Sequence, residues 1–148
     1  MQHGMDDPTV LGYLGRALSL ELSAVQLYST QSRLVATWGL DAEATKFHNE
    51  SLEELEHAQR IIARMLAKGV APNASQLRPV KLGPDLLTLL RIDHEFEQQL
   101  VKLYHDAVIH CQRQRNHEDR LFFQALLDEE SKHAVDLAHW IESLQSAG

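Results

Sequence analysis

The sequence contains two copies of a motif that pairs a carboxylate with an imidazole. In both copies the motif is Glu-x-x-His, formed by Glu54 with His57 and by Glu130 with His133. Residues three positions apart share one face of an α-helix, so each pair can offer an oxygen and a nitrogen donor to one metal ion. A single copy is common on solvent-exposed helices. Two copies in the core-facing stripes of different helices predict a metal site.

Two more glutamates interrupt apolar helical stripes in the same way. Glu21 and Glu97 each occupy a core-facing position in a helix of their own. Four carboxylates buried close together would hold protons or repel one another unless cations offset their charge. Two divalent cations carry the positive charge required, and two neutral imidazoles complete the donor set. We therefore predict a dinuclear site whose candidate catalytic and metal-binding residues are Glu21, Glu54, His57, Glu97, Glu130 and His133.

Four amphipathic helices must position these residues, because apolar residues recur at alternating steps of three and four along four segments. The first helix should begin at Asp7 and Pro8, which are typical of a helix start, and end near Trp38. The second should run from about Asp41 to Lys68, with Gly69 just past its end. The third follows Asp85 and ends within the polar stretch 112–116, and the fourth carries the second Glu-x-x-His motif.

The segment 70–83 has two prolines and no sustained periodicity, which predicts a loop of about 14 residues. Adjacent antiparallel helices need only ~2–8 connecting residues, so a loop of this length predicts a crossover along the bundle between the second and third helices. The predicted fold is an all-α four-helix bundle in one domain, residues 1–148. No fifth helix is predicted after the fourth.

Composition limits the classes of function. The chain has 148 residues, 44% apolar and 24% charged, which is typical of one globular domain, and its net charge of -7 argues against nucleic-acid binding. Cys111 is the only cysteine, which excludes an internal disulfide and a thiolate cluster. No segment approaches the ~18 uninterrupted apolar residues of a membrane span, and residues 1–10 lack the features of a signal peptide. We expect a cytoplasmic protein that binds neither nucleic acid nor membrane.

One Glu from each of two helices with Glu-x-x-His from each of the other two is the established ligand pattern of di-iron carboxylate bundles. Over nearly its whole length the sequence resembles the bacterioferritins, members of the ferritin-like family. The resemblance is carried by the six ligand positions and by Leu22, Tyr28, Trp38 to Leu40, Glu50, Ser51, Ala58, Asp128 and Glu129. It implies a ferritin-like fold, a homo-oligomer and a ferroxidase that oxidises Fe(II) with O2 or H2O2 for iron storage or detoxification.

The resemblance also implies a role for each ligand. The positions of Glu54 and Glu130 bridge the two irons in that family, those of Glu21 and Glu97 are terminal carboxylates, and those of His57 and His133 each complete one metal. Tyr28 lies seven residues after Glu21 on the same stripe. Its hydroxyl is therefore either a hydrogen-bond donor to a ligand carboxylate or part of an ordinary core tyrosine.

The sequence departs from the family at three features. Leu55 stands where bacterioferritins have the methionine that binds haem on a two-fold axis, so we expect no bis-methionine haem. Asn49 and Glu53 replace the His and Asp often found at the inner-surface iron position. The family's fifth helix, which lines a symmetry axis of the 24-subunit shell, has no counterpart after the fourth predicted helix.

These departures leave alternatives open. The first is a small-oligomer di-iron enzyme that scavenges peroxide or oxygen without storing mineral. The second is a partner subunit that co-assembles with a full-length bacterioferritin. Manganese is also a possible occupant, since oxygen-rich sites accept either metal.

A second apolar stripe on the first two helices predicts two-fold pairing between subunits. Its members recur at near-heptad spacing beside the core-facing stripe. They are Leu20, Leu27, Leu34, Leu52, Leu55, Ile62 and Leu66. The alternative is that these residues widen an ordinary core.

Overall fold

The computed structural model describes residues 7–73 and 75–147. They form four α-helices: α1 (Pro8–Thr37), α2 (Asp41–Ala67), α3 (Leu86–Arg113) and α4 (His117–Ala147). The predicted all-α four-helix bundle is confirmed. The predicted bounds of α1 and α2 and the predicted start of α3 agree with the observed ones to within one residue, and α3 ends within the predicted stretch 112–116. The expectation of no signal peptide concerns residues 1–10, of which residues 1–6 lie outside the described residues.

The helix ends follow from local side-chain chemistry. The carboxylate of Asp7 accepts a hydrogen bond of 2.8 Å from the backbone N–H of Thr9, and Asp85 does the same for Thr88 at 2.8 Å. These bonds satisfy N–H groups that have no partner inside the helix. Gly39 and Gly69 follow α1 and α2 with φ of 79° and 77°, in the left-handed region that glycine adopts without steric cost.

The bundle consists of two helical hairpins. α1 packs along α2 and α3 packs along α4, and α1 also contacts α3. The turns 38–40 and 114–116 are short, whereas the connection between α2 and α3 is long. Ser19 and Ser23 of α1 accept hydrogen bonds from the backbone N–H groups of Gln76 and Arg78, at 3.1 and 2.9 Å. The predicted loop therefore lies along α1 as a crossover between the hairpins.

The core is mainly aliphatic, and α1 buries a wider face than its sequence predicts. Leu27, predicted to belong to the second apolar stripe, is a core residue. Gln31, a polar residue of the same helix, is also fully buried. The reason is that α1 packs against both α2 and α3, so more than one stripe of this helix is covered.

Three members of the second stripe, Leu52, Leu55 and Leu66, are exposed on α2.

Among the described helices, none combines the length and apolar character needed to cross a lipid bilayer.

Candidate metal centre

The six predicted ligand residues converge in the middle of the bundle. α1 supplies Glu21, α3 supplies Glu97, and the two Glu-x-x-His motifs come from α2 and α4. Five of the six side chains are at most 1% exposed, and His133 is 9% exposed. Helical periodicity places all of them on core-facing stripes, so the same pattern that buries the aliphatic core also buries the charges.

The ligand atoms form two overlapping groups. Those of Glu21, Glu54, His57 and Glu130 lie within 4.8 Å of one another, and so do those of Glu54, Glu97, Glu130 and His133. Glu54 and Glu130 belong to both groups. The geometry therefore offers two adjacent cation positions that share two carboxylates, with one further carboxylate and one imidazole at each.

Both imidazoles direct Nδ1 towards the carboxylates. Nδ1 of His57 lies 3.3 Å from Oε2 of Glu21, and Nδ1 of His133 lies 3.0 Å from Oε1 of Glu130. The two rings are stacked, with centroids 6.0 Å apart and an interplanar angle of 13°. Their Nε2 atoms face outward, where Glu129 and Glu53 contact His57 and His133 at 3.3 and 2.6 Å.

The centre holds protons when no cation is bound. Burial, followed by the charge of Glu130, raises the pKa of Glu21 to about 7. Burial and neighbouring carboxylates raise the pKa values of Glu54 and Glu97 well above their usual range. Burial lowers the pKa of His57, but adjacent Glu21 outweighs this effect and raises it to about 9. Cation binding must therefore release protons.

The carboxylate oxygens test whether these residues fit two metal ions. Within the described part of the chain, both oxygens of Glu54 and of Glu130 lack a hydrogen-bond partner, as does one oxygen each of Glu21 and Glu97. Buried polar atoms without partners are unfavourable, and native proteins rarely retain them without a ligand. Oxygen donors with two imidazoles suit iron or manganese. The residues fit a dinuclear site.

Two tyrosines hold the terminal carboxylates in a crossed arrangement. The Tyr28 hydroxyl donates to Oε1 of Glu97 at 2.8 Å, and the Tyr104 hydroxyl donates to Oε2 of Glu21 at 2.7 Å. Burial, then the charge of the contacted carboxylate, raises both tyrosine pKa values well above 10, so both remain donors. Tyr28 thus has the supporting contact that was one of its two possible roles.

Sequence reasoning missed the contact between Tyr104 and Glu21, although a signal was present. Each ligand of the second hairpin follows its counterpart in the first at one constant interval along the chain: Glu97 after Glu21, Glu130 after Glu54, and His133 after His57. Tyr104 follows Tyr28 at the same interval. An internal repeat therefore pairs the two tyrosines as it pairs the ligands.

Comparisons with known proteins agree with this fold. The family model described as a ferritin-like domain matches residues 11–147. A bacterioferritin from Rhodobacter capsulatus is 35% identical over 127 residues, covering 86% of this chain and 79% of the relative. A bacterioferritin from Brucella melitensis is 30% identical over 142 residues, covering 96% of this chain and 88% of the relative.

A solved structure is similar over almost the whole chain. It is Rhodobacter capsulatus bacterioferritin with a metal-free dinuclear site and haem iron in a crystallographic special position, and it superposes with a TM-score of 0.92 at 32% sequence identity. The match covers 98% of this chain and 91% of that chain. With four helices in the same arrangement and relatives at this level of identity, the chain belongs to the bacterioferritins of the ferritin-like family.

Proposed function

We propose that this protein is a ferroxidase that binds two Fe(II) ions as substrate between Glu21, Glu54, His57, Glu97, Glu130 and His133. Bacterioferritins store iron and oxidise Fe(II), which supports the assignment. The observation that carries it is the pair of overlapping donor groups that share Glu54 and Glu130. Each Fe(II) gives up one electron, and the two electrons reduce O2 to H2O2, or H2O2 to water.

In this proposal the residues of the chain bind the two iron ions, hold them in position and neutralise their charge. Hard carboxylate oxygens favour Fe(III) over Fe(II), so the site becomes a better ligand set for the product than for the substrate. Glu54 and Glu130 reach both cation positions and hold the two ions close enough to react with one oxidant molecule. Tyr28 and Tyr104 fix the orientation of the terminal carboxylates.

Proton release accompanies substrate binding. The carboxyl of Glu21, whose pKa is raised to about 7 by burial, and that of Glu54 are protonated more readily than ordinary glutamates. The two imidazoles must also lose a proton before Nδ1 can bind a cation. Fe(II) oxidation should therefore slow in acid, because protons compete with iron for the same atoms.

The choice of metal ion and the binding of haem are two further questions. The donor set accepts Mn(II) as well as Fe(II), and the difference lies in the oxidation that follows. At the haem position of the family, the Leu55 side chain is 37% exposed and has no thioether. We propose that the protein does not bind haem through paired methionines, and the Soret absorbance of protein purified with added haem tests this.

The test of the proposed function is Fe(II) oxidation followed by ultraviolet absorbance as Fe(II) is added in steps. Wild-type protein should oxidise two Fe(II) ions per chain rapidly with O2 or H2O2, and Glu54→Ala with Glu130→Ala should abolish this phase. Thermal unfolding of the metal-free variant provides the control for folding. Rapid oxidation that persists in the folded double variant would show that the oxidation site lies elsewhere.

Light scattering during size-exclusion chromatography separates storage from scavenging. Bacterioferritins are oligomeric, and we propose that pairing here uses α1 and α2, because Leu52, Leu55 and Leu66 are exposed on α2. A cage-sized particle that oxidises many irons per chain indicates storage. A dimer that stops at two irons per chain indicates a di-iron enzyme that consumes oxygen or peroxide.

A further inference from the structure

The outward-facing atoms of the two histidines open onto one surface depression of about 380 Å³, lined also by Glu53, Glu56, Glu129 and Lys132. Nε2 of each histidine is contacted there by a carboxylate from the opposite Glu-x-x-His helix. Glu129 of α4 contacts His57, and Glu53 of α2 contacts His133. Glu129 follows Glu53 at the interval that relates the paired ligands, so the two carboxylates are equivalent in the internal repeat.

Three residues near the two histidines break this equivalence, because Glu50, Glu56 and Arg60 correspond to Leu126, Lys132 and Asp136. Of the three, Arg60 is the one that donates a hydrogen bond to an outer carboxylate. Nη2 of Arg60 donates to Oε2 of Glu129 at 2.6 Å, while the other oxygen of Glu129 faces His57. The residue equivalent to Arg60 in the second half of the repeat is Asp136, an exposed acid that cannot donate to Glu53. Glu129 is therefore fixed between an arginine and a histidine, whereas the 55% exposed Glu53 has no counterpart of this arginine.

The two contacts differ accordingly. The contact between His57 and Glu129 has hydrogen-bond geometry, at 3.3 Å. The contact between His133 and Glu53 is a close ion pair at 2.6 Å, but it uses a solvated side chain that must lose rotamer freedom to stay in place. A charge-assisted bond from Arg60 removes that cost for Glu129, because the carboxylate is already ordered.

A histidine that donates Nε2–H to a fixed acceptor keeps its Nδ1 lone pair directed at the metal position. We propose that Arg60 and Glu129 are positioning residues that make the His57 cation position the tighter of the two, and leave the His133 position the more readily exchanged. This inference rests on the proposed two-metal site. The six ligands and the two tyrosines are matched across the repeat. We assign the inequality to Arg60 because, of the unmatched residues nearby, it is the one that donates a hydrogen bond to an outer carboxylate.

Co(II) binding to the assembled protein tests the inference without any turnover, using visible absorbance and calorimetry. Single-site backgrounds separate the two positions: His133→Ala retains the His57 position, and His57→Ala retains the His133 position. In the His133→Ala background, Arg60→Ala and Glu129→Gln should each weaken Co(II) binding by about 10- to 100-fold, the usual effect of losing an outer partner of a metal ligand. In the His57→Ala background, both changes should have an effect below about 3-fold, because neither residue contacts His133.

Matched variants make the comparison specific. Arg60→Lys should restore part of the lost affinity, and Glu118→Gln should leave the affinity unchanged, because Glu118 is 88% exposed and lies outside the donor groups. Asp136→Arg should tighten the His133 position by supplying Glu53 with the missing donor. Equal effects of Arg60→Ala in the two backgrounds would overturn the inference. Wild-type protein that binds no Co(II) would instead overturn the proposed function.

Discussion

Two regions of this bundle that contain buried carboxylates differ in how those carboxylates are paired. Near the turn between α3 and α4, Asp119 is buried but fully paired, since Arg64 donates to Oδ1 at 2.6 Å and Lys68 donates to Oδ2 at 2.9 Å. Asn116 adds a bond of 2.7 Å. Burial raises the pKa of Asp119, but these donors outweigh it and hold the pKa below its usual value.

In the middle of the bundle the effect of burial on the carboxylate pKa values prevails over that of the hydrogen-bond donors. The four ligand carboxylates are buried, and among the described residues none of their ion pairs involves an arginine or a lysine. The pKa values of Glu54 and Glu97 rise where that of Asp119 falls. A structural role explains the paired region, whereas the unpaired region makes sense as a site kept for external cations.

The largest effect is expected from Glu54→Gln with Glu130→Gln, a double variant that removes the two shared carboxylates from the central region. Zn(II) at ~1,000 times its dissociation constant should stabilise the wild-type protein by about 4 kcal/mol, which corresponds to roughly 8–16 °C in Tm. The double variant should show no metal-dependent shift, because each position loses two anionic carboxylates and keeps only neutral amide oxygens in their place. Glu118→Gln, a change at an acid that is 88% exposed on α4, serves as the control. A metal-dependent shift of the same size in the double variant would contradict the shared-donor geometry.

The pH dependence of stability should have opposite signs for the two regions. Glu21 binds more protons folded than unfolded, so it contributes less stability as pH rises from 4.5 to its folded pKa of about 7. His57 and His133, with pKa values of about 9 and 10, continue the loss above pH 6.5. At about 1.36 kcal/mol per pKa unit, Glu21 alone accounts for roughly 3 kcal/mol.

Thermal unfolding of metal-free protein between about pH 5 and 9 measures this effect, and Tm should fall steadily across the range. The pKa of Asp119 is lowered, so its contribution should be lost only below about pH 4. A Tm of the metal-free protein that stayed constant over the whole range would mean that the central carboxylates are not stabilised in their protonated form.

Asp119→Asn should destabilise the protein by about 2–3 kcal/mol, because Arg64 and Lys68 lose a buried charged partner. Denaturant unfolding measures the change. It should be the same with and without Zn(II), since Asp119 lies outside both donor groups. A loss seen only with metal present would link this region to the metal site and remove the contrast.

The smallest expected effect concerns the crossed tyrosines. Tyr28→Phe and Tyr104→Phe each delete one hydrogen bond to a terminal carboxylate and should weaken Co(II) binding by about 10-fold, or ~1.4 kcal/mol. The two effects should match because the residues are equivalent in the repeat. Tyr13→Phe is the control, since Tyr13 packs against His110 and Phe123 away from the ligands.

Much of the fold was predictable from local signals. Asp7 and Asp85 begin helices through side-chain bonds two or three residues away, and Gly39 and Gly69 follow helix ends, so each boundary is encoded nearby. The convergence of the six ligands was predictable for the same reason, because charged residues interrupting apolar stripes are conspicuous. Their role in binding metal stays a prediction that the experiments above address.

The paired region was not predictable, because it depends on contacts between distant parts of the chain. Asp119 is flanked by polar residues, and nothing near it in sequence indicates burial. Its partner Arg64 lies on α2 and Lys68 directly after it, both far earlier in the chain. The burial of Leu27 was missed for a related reason, since the number of helices packed against α1 decides how wide its covered face is.

The crossover loop separates two hairpins that each carry half of the donors and one of the two supporting tyrosines. All six candidate ligands lie on the four helices, and none lies in the described part of the loop. A symmetric pair of identical hairpins would therefore already present a complete donor set, as a homodimer. In a single chain the sequences of the two hairpins can diverge. The equivalent positions carry Arg60 in one hairpin and Asp136 in the other, a difference that a dimer of identical hairpins cannot have.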